Sequence, residues 1–437
     1  MSTQTTIPRG TTVIKVDTLA RVEGEGALTI RFKGTRIEDV KVRIPEPPRL
    51  FEAFLRGRRF TEAPDITARI CGICPIAYQM SSVHAMERIL GLQIHPAIRE
   101  LRRLFYCGEW IESHALHVYM LHAPDFLGFQ DVIEMTKEHR AAVEQALRLK
   151  LIGNKLVALM GGREVHPVSA TVGGFYRTPT RDELLAMKPD LEWALEASIA
   201  TAKLVATFPF PDFEQDYEFV SLGHPSEYPL CEGRIVSNKG LNIDVAEFED
   251  HFLEQHVKHS NALHSVLRER GSYMVGPLAR FNLHYDLLPE MARRTAAEIG
   301  FTPPRGNPFQ SIIARAIELI FACEEALRII DSYEPPPAPR VEAPPRAGAG
   351  YAASEAPRGT LYHRYVIDDH GTILSCRIVP PTSQNLKRME DDLWRLLPSL
   401  IDRPVEEITL RCEQAVRNYD PCISCATHFL KVNIERS

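Results

Sequence analysis

Arg69-Ile70-Cys71-Gly72-Ile73-Cys74 and, near the other end of the chain, Asp420-Pro421-Cys422-Ile423-Ser424-Cys425 decide how this sequence is read. Each is a Cys-x-x-Cys knuckle, a spacing that lets two thiolates chelate one ion. The first stands at a predicted helix start, where the helix N-terminus favours the charged thiolate. One knuckle is a weak signal; two offer four thiolates, a set that suits zinc, iron–sulfur or another soft metal. Structural zinc sites hold their halves about 15–20 residues apart. Here nearly the whole chain intervenes, so the site is expected to be catalytic rather than a local staple.

The remaining five cysteines, Cys107, Cys231, Cys323, Cys376 and Cys412, are scattered and read as small buried hydrophobes. Nine cysteines is an odd number, which argues against a disulfide framework. The 437 residues are 44% hydrophobic and 25% charged, the balance of a globular protein with length for a large core. A formal charge of −6 without basic runs gives no support for nucleic acid or an anionic membrane as partner. No apolar run approaches the ~20 residues that span a bilayer. Met1 to Arg9 is polar and leads into a strand-like segment, so no signal peptide is expected and the cytoplasm is the expected compartment.

From Thr12 to Pro45 the chain alternates in strand fashion, as in Leu28 to Phe32 and Val40 to Ile44. Helical periodicity then predicts helices over about Ala77 to Leu90, Ile98 to Leu121, Val132 to Met160, Arg181 to Phe208, Asp244 to Arg270 and Pro308 to Tyr333. Residues 334–350 are rich in Pro, Ala and Gly and read as a surface loop. A hairpin is expected over Leu361 to Ile367 and Thr372 to Val379, turned at Asp369-His370-Gly371. Helices near Asn385 to Leu397 and Val405 to Asn418 lead to the second knuckle. There is no internal repeat, and motifs on both sides of the Pro-rich loop complement each other. The fold class expected is therefore mainly α with minor β (α+β), one continuous body over 1–437.

The knuckles and their flanks resemble the signature motifs of the nickel–iron hydrogenase large subunit, and the resemblance extends over essentially the whole chain. Arg21-Val22-Glu23-Gly24 resembles the family's Arg-x-Glu-Gly opening. Arg49-Leu50-Phe51-Glu52 resembles its magnesium-site segment, and His114 through His117 and His122 to Asp125 its His-rich helix. Gly162 to Pro167 with Gly173-Gly174 resembles the segment facing the electron-transfer subunit. Ala356-Pro357-Arg358-Gly359 and Pro381 to Asn385 resemble the elements that cover the metals, and Asp420 to His428 the C-terminal box. Length and several segments look most like the soluble sulfhydrogenase and NAD(P)-linked branch.

The resemblance implies reversible heterolytic cleavage of H2 at a nickel–iron centre whose iron carries CO and cyanide. Cys71 and Cys422 would be terminal on nickel, and Cys74 and Cys425 would bridge to iron. Heterolysis also needs a nearby base, and the family assigns the proton to the Cys422 thiolate and then to Glu23. Arg358 would overhang the metals with Asp420 as its ion-pair partner, Pro357 and Thr382 completing the cyanide and CO pocket. Glu52 and His428 would ligate Mg2+. His166 would face an iron–sulfur small subunit, with flavin or NAD(P) diaphorase subunits beyond it. A maturation endopeptidase would cut between His428 and Phe429, removing 429–437.

Read without the resemblance, Glu23 is a surface carboxylate at a strand end, Arg358 a turn arginine, and Thr382 part of a chain break before a helix. His428 reads as a surface residue, and His114, His117 and His122 either as a second metal site or as core hydrogen-bonding groups. Two departures stand out: Tyr78 occupies a position where many relatives carry His, and Glu25 replaces the usual His after Arg-x-Glu-Gly. The chain shows no Gly-rich dinucleotide fingerprint and no further cysteines with cluster spacing, so electrons are expected to leave through another polypeptide. The rival readings are a complex I-like quinone-pocket subunit without nickel and a zinc-stabilised scaffold.

Overall fold

In the computed structural model, which describes residues 11–427, the chain opens with an antiparallel meander of β1 (Thr11–Val16), β2 (Ala27–Lys33) and β3 (Arg36–Arg43). Leu28, Ile30 and Phe32 point inward on alternate positions of β2 and are buried, as period-two patterning requires. The rest is mostly helical, with small antiparallel sheets set between helices.

Helix α1 (Pro75–Leu90) begins one residue after Cys74 and ends on Gly91, whose φ of 67° stops it. Pro75 at its first position gives up an N–H that would have had no partner. No side chain caps α1 from the N-cap position. Instead Glu109, on helix α2 (Pro96–Ala115), accepts from Ile76 N at 2.7 Å and from Ala77 N at 3.3 Å. A carboxyl there satisfies orphan donors and complements the helix dipole. Helix α3 (Val132–Gly161), capped by Asp131, crosses α2 backbone to backbone. A Cβ on Gly153 would stand 2.6 Å from Glu112 N and 2.8 Å from Gly108 O, so the crossing requires glycine. Helix α4 (Lys188–Val205) packs on α5 (Ser311–Ser332), which in turn packs on α2, and the main apolar core lies among these helices.

Further along lie the hairpin β4 (Phe252–Gln255) and β5 (His264–Leu267), then the meander β6 (Gly348–Ala356), β7 (Gly359–Ile367) and β8 (Ile373–Val379). The meander packs on α1. Helix α6 (Pro381–Leu396) packs on β3 and β5, followed by α7 (Val405–Arg417) and the single turn α8 (Ile423–Ala426).

Several expectations are corrected. The helix expected over Asp244 to Arg270 is a short 3-10 turn, a four-residue helix at Phe248–His251, and the β4–β5 hairpin. The i, i+4 pair Phe248 and Phe252 mimics a helical stripe. Its rings instead stack on each other and against Tyr362 of β7, with centroids 4.3 and 4.2 Å apart. The helix expected over Arg181 to Phe208 is two, Arg181–Leu185 and α4, because Pro189 starts a new helix rather than continuing one. Beyond Ala115 the α2 pattern widens into a π-helical stretch, Leu116–His122. The expected hairpin is a three-stranded meander; the extra strand β6 overlaps the end of the expected 334–350 loop at Gly348 to Gly350 and continues through a stretch for which no strand is expected.

Candidate metal centre

The first knuckle sits in the turn before α1 and the second on the turn into α8, and the fold brings them together. Cys71, Cys74, Cys422 and Cys425 are all buried, with their sulfurs within 4.8 Å of one another. Cys71 Sγ lies 3.4 Å from Cys422 Sγ, Cys74 Sγ 3.7 Å from Cys425 Sγ, and Cys422 Sγ 2.8 Å from Cys425 Sγ. Metal–sulfur bonds of about 2.3 Å put neighbouring sulfurs roughly 3.3 to 3.8 Å apart. The first two spacings match, and the third pair stands closer than that. The backbone N–H groups of Ile73 and Cys74 both donate to Cys71 Sγ at 3.3 Å. Hydrogen bonds from Cys422, Cys425 and Cys74 hold the Cys71 thiol well below its ordinary value against burial. Burial pushes Cys422 and Cys425 up. Without metal, four buried sulfurs cannot all carry charge. A soft cation is what fits this donor set.

The Arg-x-Glu segment lies directly on the second knuckle. Glu23 and Cys422 form a parallel backbone bridge, Ile423 N donates to Glu23 O at 3.0 Å, and Ser424 N donates to Glu23 Oε2 at 3.1 Å. The same carboxylate oxygen is 3.1 Å from Cys422 Sγ. Half-buried Glu23 is therefore no solvated surface carboxylate. Arg358 donates from Nε to Asp420 O at 2.8 Å and from Nη2 to Asp420 Oδ1 at 3.1 Å, both residues being buried. Burial opposes the Arg358 charge, but Asp420 and the neighbouring Cys422, Cys74 and Cys71 outweigh it. Arg358 Nη1 and Asp420 Oδ2 are buried without a partner, so the pair holds hydrogen-bonding capacity for a further polar group. Thr382 Oγ1 accepts from Cys422 N at 3.0 Å, which orients the knuckle from the first turn of α6. Pro357 O is fixed by Arg280 Nη2 at 2.9 Å.

His166 sits beside the first knuckle, with φ 50°, its Nδ1 paired with Ala68 O at 2.7 Å. Glu52 Oε1 accepts from Ile378 N at 2.8 Å. His428 and the tail 429–437 lie outside the described residues. Tyr78 is fully buried, and burial together with Cys425 and Cys74 raises its phenol well above the usual range. Glu25 is exposed, and its N–H donates to Glu46 Oε1 at 2.7 Å.

The histidines of α2 and its π extension do not gather round an ion. His114 Nε2 pairs with Glu318 Oε2, His117 Nε2 with Arg417 O and His122 Nε2 with Asn418 Oδ1, each at 2.9 Å. They are core hydrogen-bonding groups. The five scattered cysteines are buried and unbridged.

Two supports escaped sequence reasoning. Arg49 reaches both knuckles, donating from Nη1 to Ile70 O at 2.6 Å and to Ser424 O at 3.4 Å. Its place after Pro47-Pro48 gives no hint of that span. Asp125 accepts from Arg417 Nε at 2.7 Å and Nη2 at 2.8 Å, and pairs with Arg21. It thereby fastens the Arg-x-Glu segment to the helix that leads into the second knuckle; no local signal marks pairs so distant in sequence.

The model of the nickel-dependent hydrogenases matches residues 49–150 and 273–428, more than half of the chain and both knuckles. The chain belongs to that family. It is 32% identical to the sulfhydrogenase 1 subunit alpha of Pyrococcus furiosus, over 96% of this chain and 98% of that protein. It is 26% identical to the NAD-reducing hydrogenase HoxS subunit beta of Cupriavidus necator, over 95% and 94%. Its fold superposes on a crystal structure of an NAD+-reducing [NiFe]-hydrogenase in the H2-reduced state with a TM-score of 0.86 at 27% identity, covering 95% of this chain and 99% of that one. The hydrogenase is thus a catalytic large subunit, an oxidoreductase acting on H2, with its nickel–iron site at the four cysteines. The quinone-pocket and zinc-scaffold readings fall with that membership. No helix of the described residues is long and apolar enough to cross a membrane.

Proposed function

We propose that Cys71 and Cys422 would hold nickel alone, that Cys74 and Cys425 would hold it together with an iron carrying CO and cyanide, and that Glu23 takes the proton from Cys422. When bound, the nickel–iron centre supplies the Lewis acidity and redox capacity for heterolytic H2 cleavage. The 3.1 Å contact between Cys422 Sγ and Glu23 Oε2 carries this reading. A sulfur that receives a proton can pass it to a carboxylate at hydrogen-bond distance, and the Ser424 N–H on the same oxygen fixes that carboxylate in place. Arg358, Asp420, Pro357 and Thr382 form the polar wall for the diatomic ligands. The unpartnered Arg358 Nη1 supports that role, since a buried guanidinium N–H is suited to a cyanide nitrogen. Infrared bands of CO and cyanide, with nickel and iron in the purified complex, test it; zinc alone or no metal would sink it.

Glu52 and His428 are proposed as magnesium ligands. Arg49 N pairs with Thr427 O, which draws the described end of the chain beside the Glu52 segment and supports the pairing. Processing by an endopeptidase between His428 and Phe429 is tested by intact mass: a mature, active chain still carrying Ser437 contradicts it.

Electrons are proposed to leave through an iron–sulfur small subunit docked over His166. Val165, Val168 and Tyr176 around it are 51%, 39% and 56% exposed, apolar surface that a partner would cover. A soluble, cytoplasmic assembly with flavin or NAD(P) diaphorase subunits beyond is proposed, and the likeness to a NAD-reducing hydrogenase supports the link to NAD(P). A lone chain reducing NADP with H2 at the rate of the full complex would refute this division of labour.

A further inference from the structure

Away from the cysteines, two histidines and a carboxyl converge on a second point. His259 belongs to the connection between β4 and β5, His264 opens β5, and Glu390 projects from α6. His259 Nε2 is 2.8 Å from Glu390 Oε1, and His264 Nδ1 is 3.8 Å from Glu390 Oε2. One donor atom from each lies within 4.8 Å of the others. The two imidazole rings stand nearly perpendicular, at 82°, with centroids 5.6 Å apart.

A plain histidine–glutamate pair accounts for His259 and for Glu390 Oε1, which also accepts from Val42 N at 3.1 Å. It does not account for His264. That side chain is 1% exposed, its Nε2 is buried without a partner, and its Nδ1 is beyond hydrogen-bond reach of Glu390. Burying an imidazole so poorly partnered is costly, and a bound ion is one of the few things that offsets it. The rest of the setting is accounted for: Lys387 is paired with Asp391 at 2.7 Å and does not occupy Glu390.

We propose that His259, His264 and Glu390 form a site for one divalent transition ion, Zn2+ in preference to Mg2+ or Ca2+. Two nitrogens and one carboxylate are a borderline donor set, whereas the hard cations take oxygen shells. His259, 18% exposed at its side chain, gives the site an edge open to water for a fourth ligand. The ion would join the β4–β5 hairpin to α6, the helix whose first turn holds Thr382 against Cys422 N. It would therefore brace one support of the nickel–iron centre without touching the centre.

The test uses the nickel-loaded complex, stripped of loosely held metal and dialysed against Zn2+ alone. Expected are one zinc per chain beside the nickel, and a zinc K-edge spectrum with only nitrogen and oxygen at about 2.0–2.1 Å. His259→Gln and Glu390→Gln are each expected to weaken zinc binding on the order of a hundredfold. Nickel content serves as the check that each variant has folded. Failure of the native complex to bind zinc overturns the proposal, as does sulfur in the zinc shell or unchanged affinity in both variants. The spectrum of the native complex decides the matter even if the variants do not fold.

Discussion

Glu23→Gln separates proton transfer from construction. Glutamine matches the native side chain in size, and its carbonyl oxygen can still accept from Ser424 N, which now donates to Glu23 Oε2 at 3.1 Å. The backbone bridge to Cys422 does not involve the side chain at all. Folding is therefore expected to lose about 1 kcal/mol, the difference between a charged and a neutral acceptor. The contact to Cys422 Sγ, also 3.1 Å, keeps its length but faces an amide that cannot take a proton. Removing a positioned proton carrier slows a reaction by roughly 10²–10⁴, or about 3–5 kcal/mol on the barrier. Glu23→Asp withdraws the carboxylate by roughly 1.5 Å, beyond direct reach of the sulfur, and should fall between the two. The assays are H2-driven dye reduction and exchange of D2 with water, both normalised to nickel content. A fully nickel-loaded Glu23→Gln enzyme working within about tenfold of the native rate would refute the relay.

Cys74→Ser is expected to lower nickel retention by more than the roughly 10–100-fold typical of outer-shell changes, read by elemental analysis of the purified complex. Arg358→Lys keeps the charge but not the fork that engages Asp420 O and Oδ1 together; turnover should drop by about 10², with unchanged activity arguing against Arg358 as an organiser of the pocket. Asp125→Asn leaves Arg417 buried with a weakened partner and should cost about 3–5 kcal/mol, seen as a lowered Tm together with loss of nickel. For pH, half-buried His84 and buried His114 and His284 are each held down to about 4, desolvation being the leading cause. Their contribution is present above pH 6.5 and is lost as pH falls towards 4. Glu112 acts oppositely: burial pushes it up to about 7, so its contribution is full below 4.5 and fades as pH rises through 7. Tm should therefore fall on acidification below 6.5, and fall more steeply in Glu112→Gln; a parallel or shallower curve in the variant contradicts the assignment.

The four metal-binding cysteines were legible because Cys-x-x-Cys spacing states its own chemistry, and the long helices because their periodicity runs for many turns. Sheet β6 was not. Gly348-Ala-Gly-Tyr-Ala-Ala-Ser-Glu-Ala356 has poor strand propensity, and its small residues exist for packing: a Cβ on Gly350 would meet Ala85 O of α1 at 2.1 Å. The Phe248 and Phe252 stripe misled for a related reason, since its partner ring, Tyr362, is supplied by a strand far along the chain. Arg49 and Asp125 act on groups hundreds of residues away, Ser424 O and Arg417, so nothing beside them in sequence reveals the contact. Glu23 was assigned by resemblance alone, and only the fold supplies the distance that gives it a physical reason.

Glu23 and Cys422 are bridged although 399 positions separate them. A ribosome delivers these partners at opposite ends of synthesis. A nascent chain that already carries β1 through α7 offers Cys71, Cys74 and the waiting edge at Glu23, but only half of a metal-binding mould. Because the bulk of the core can close first, seating the last knuckle orders only a short segment and costs little loop entropy. The second knuckle is thus the last piece of the metal-binding mould to arrive.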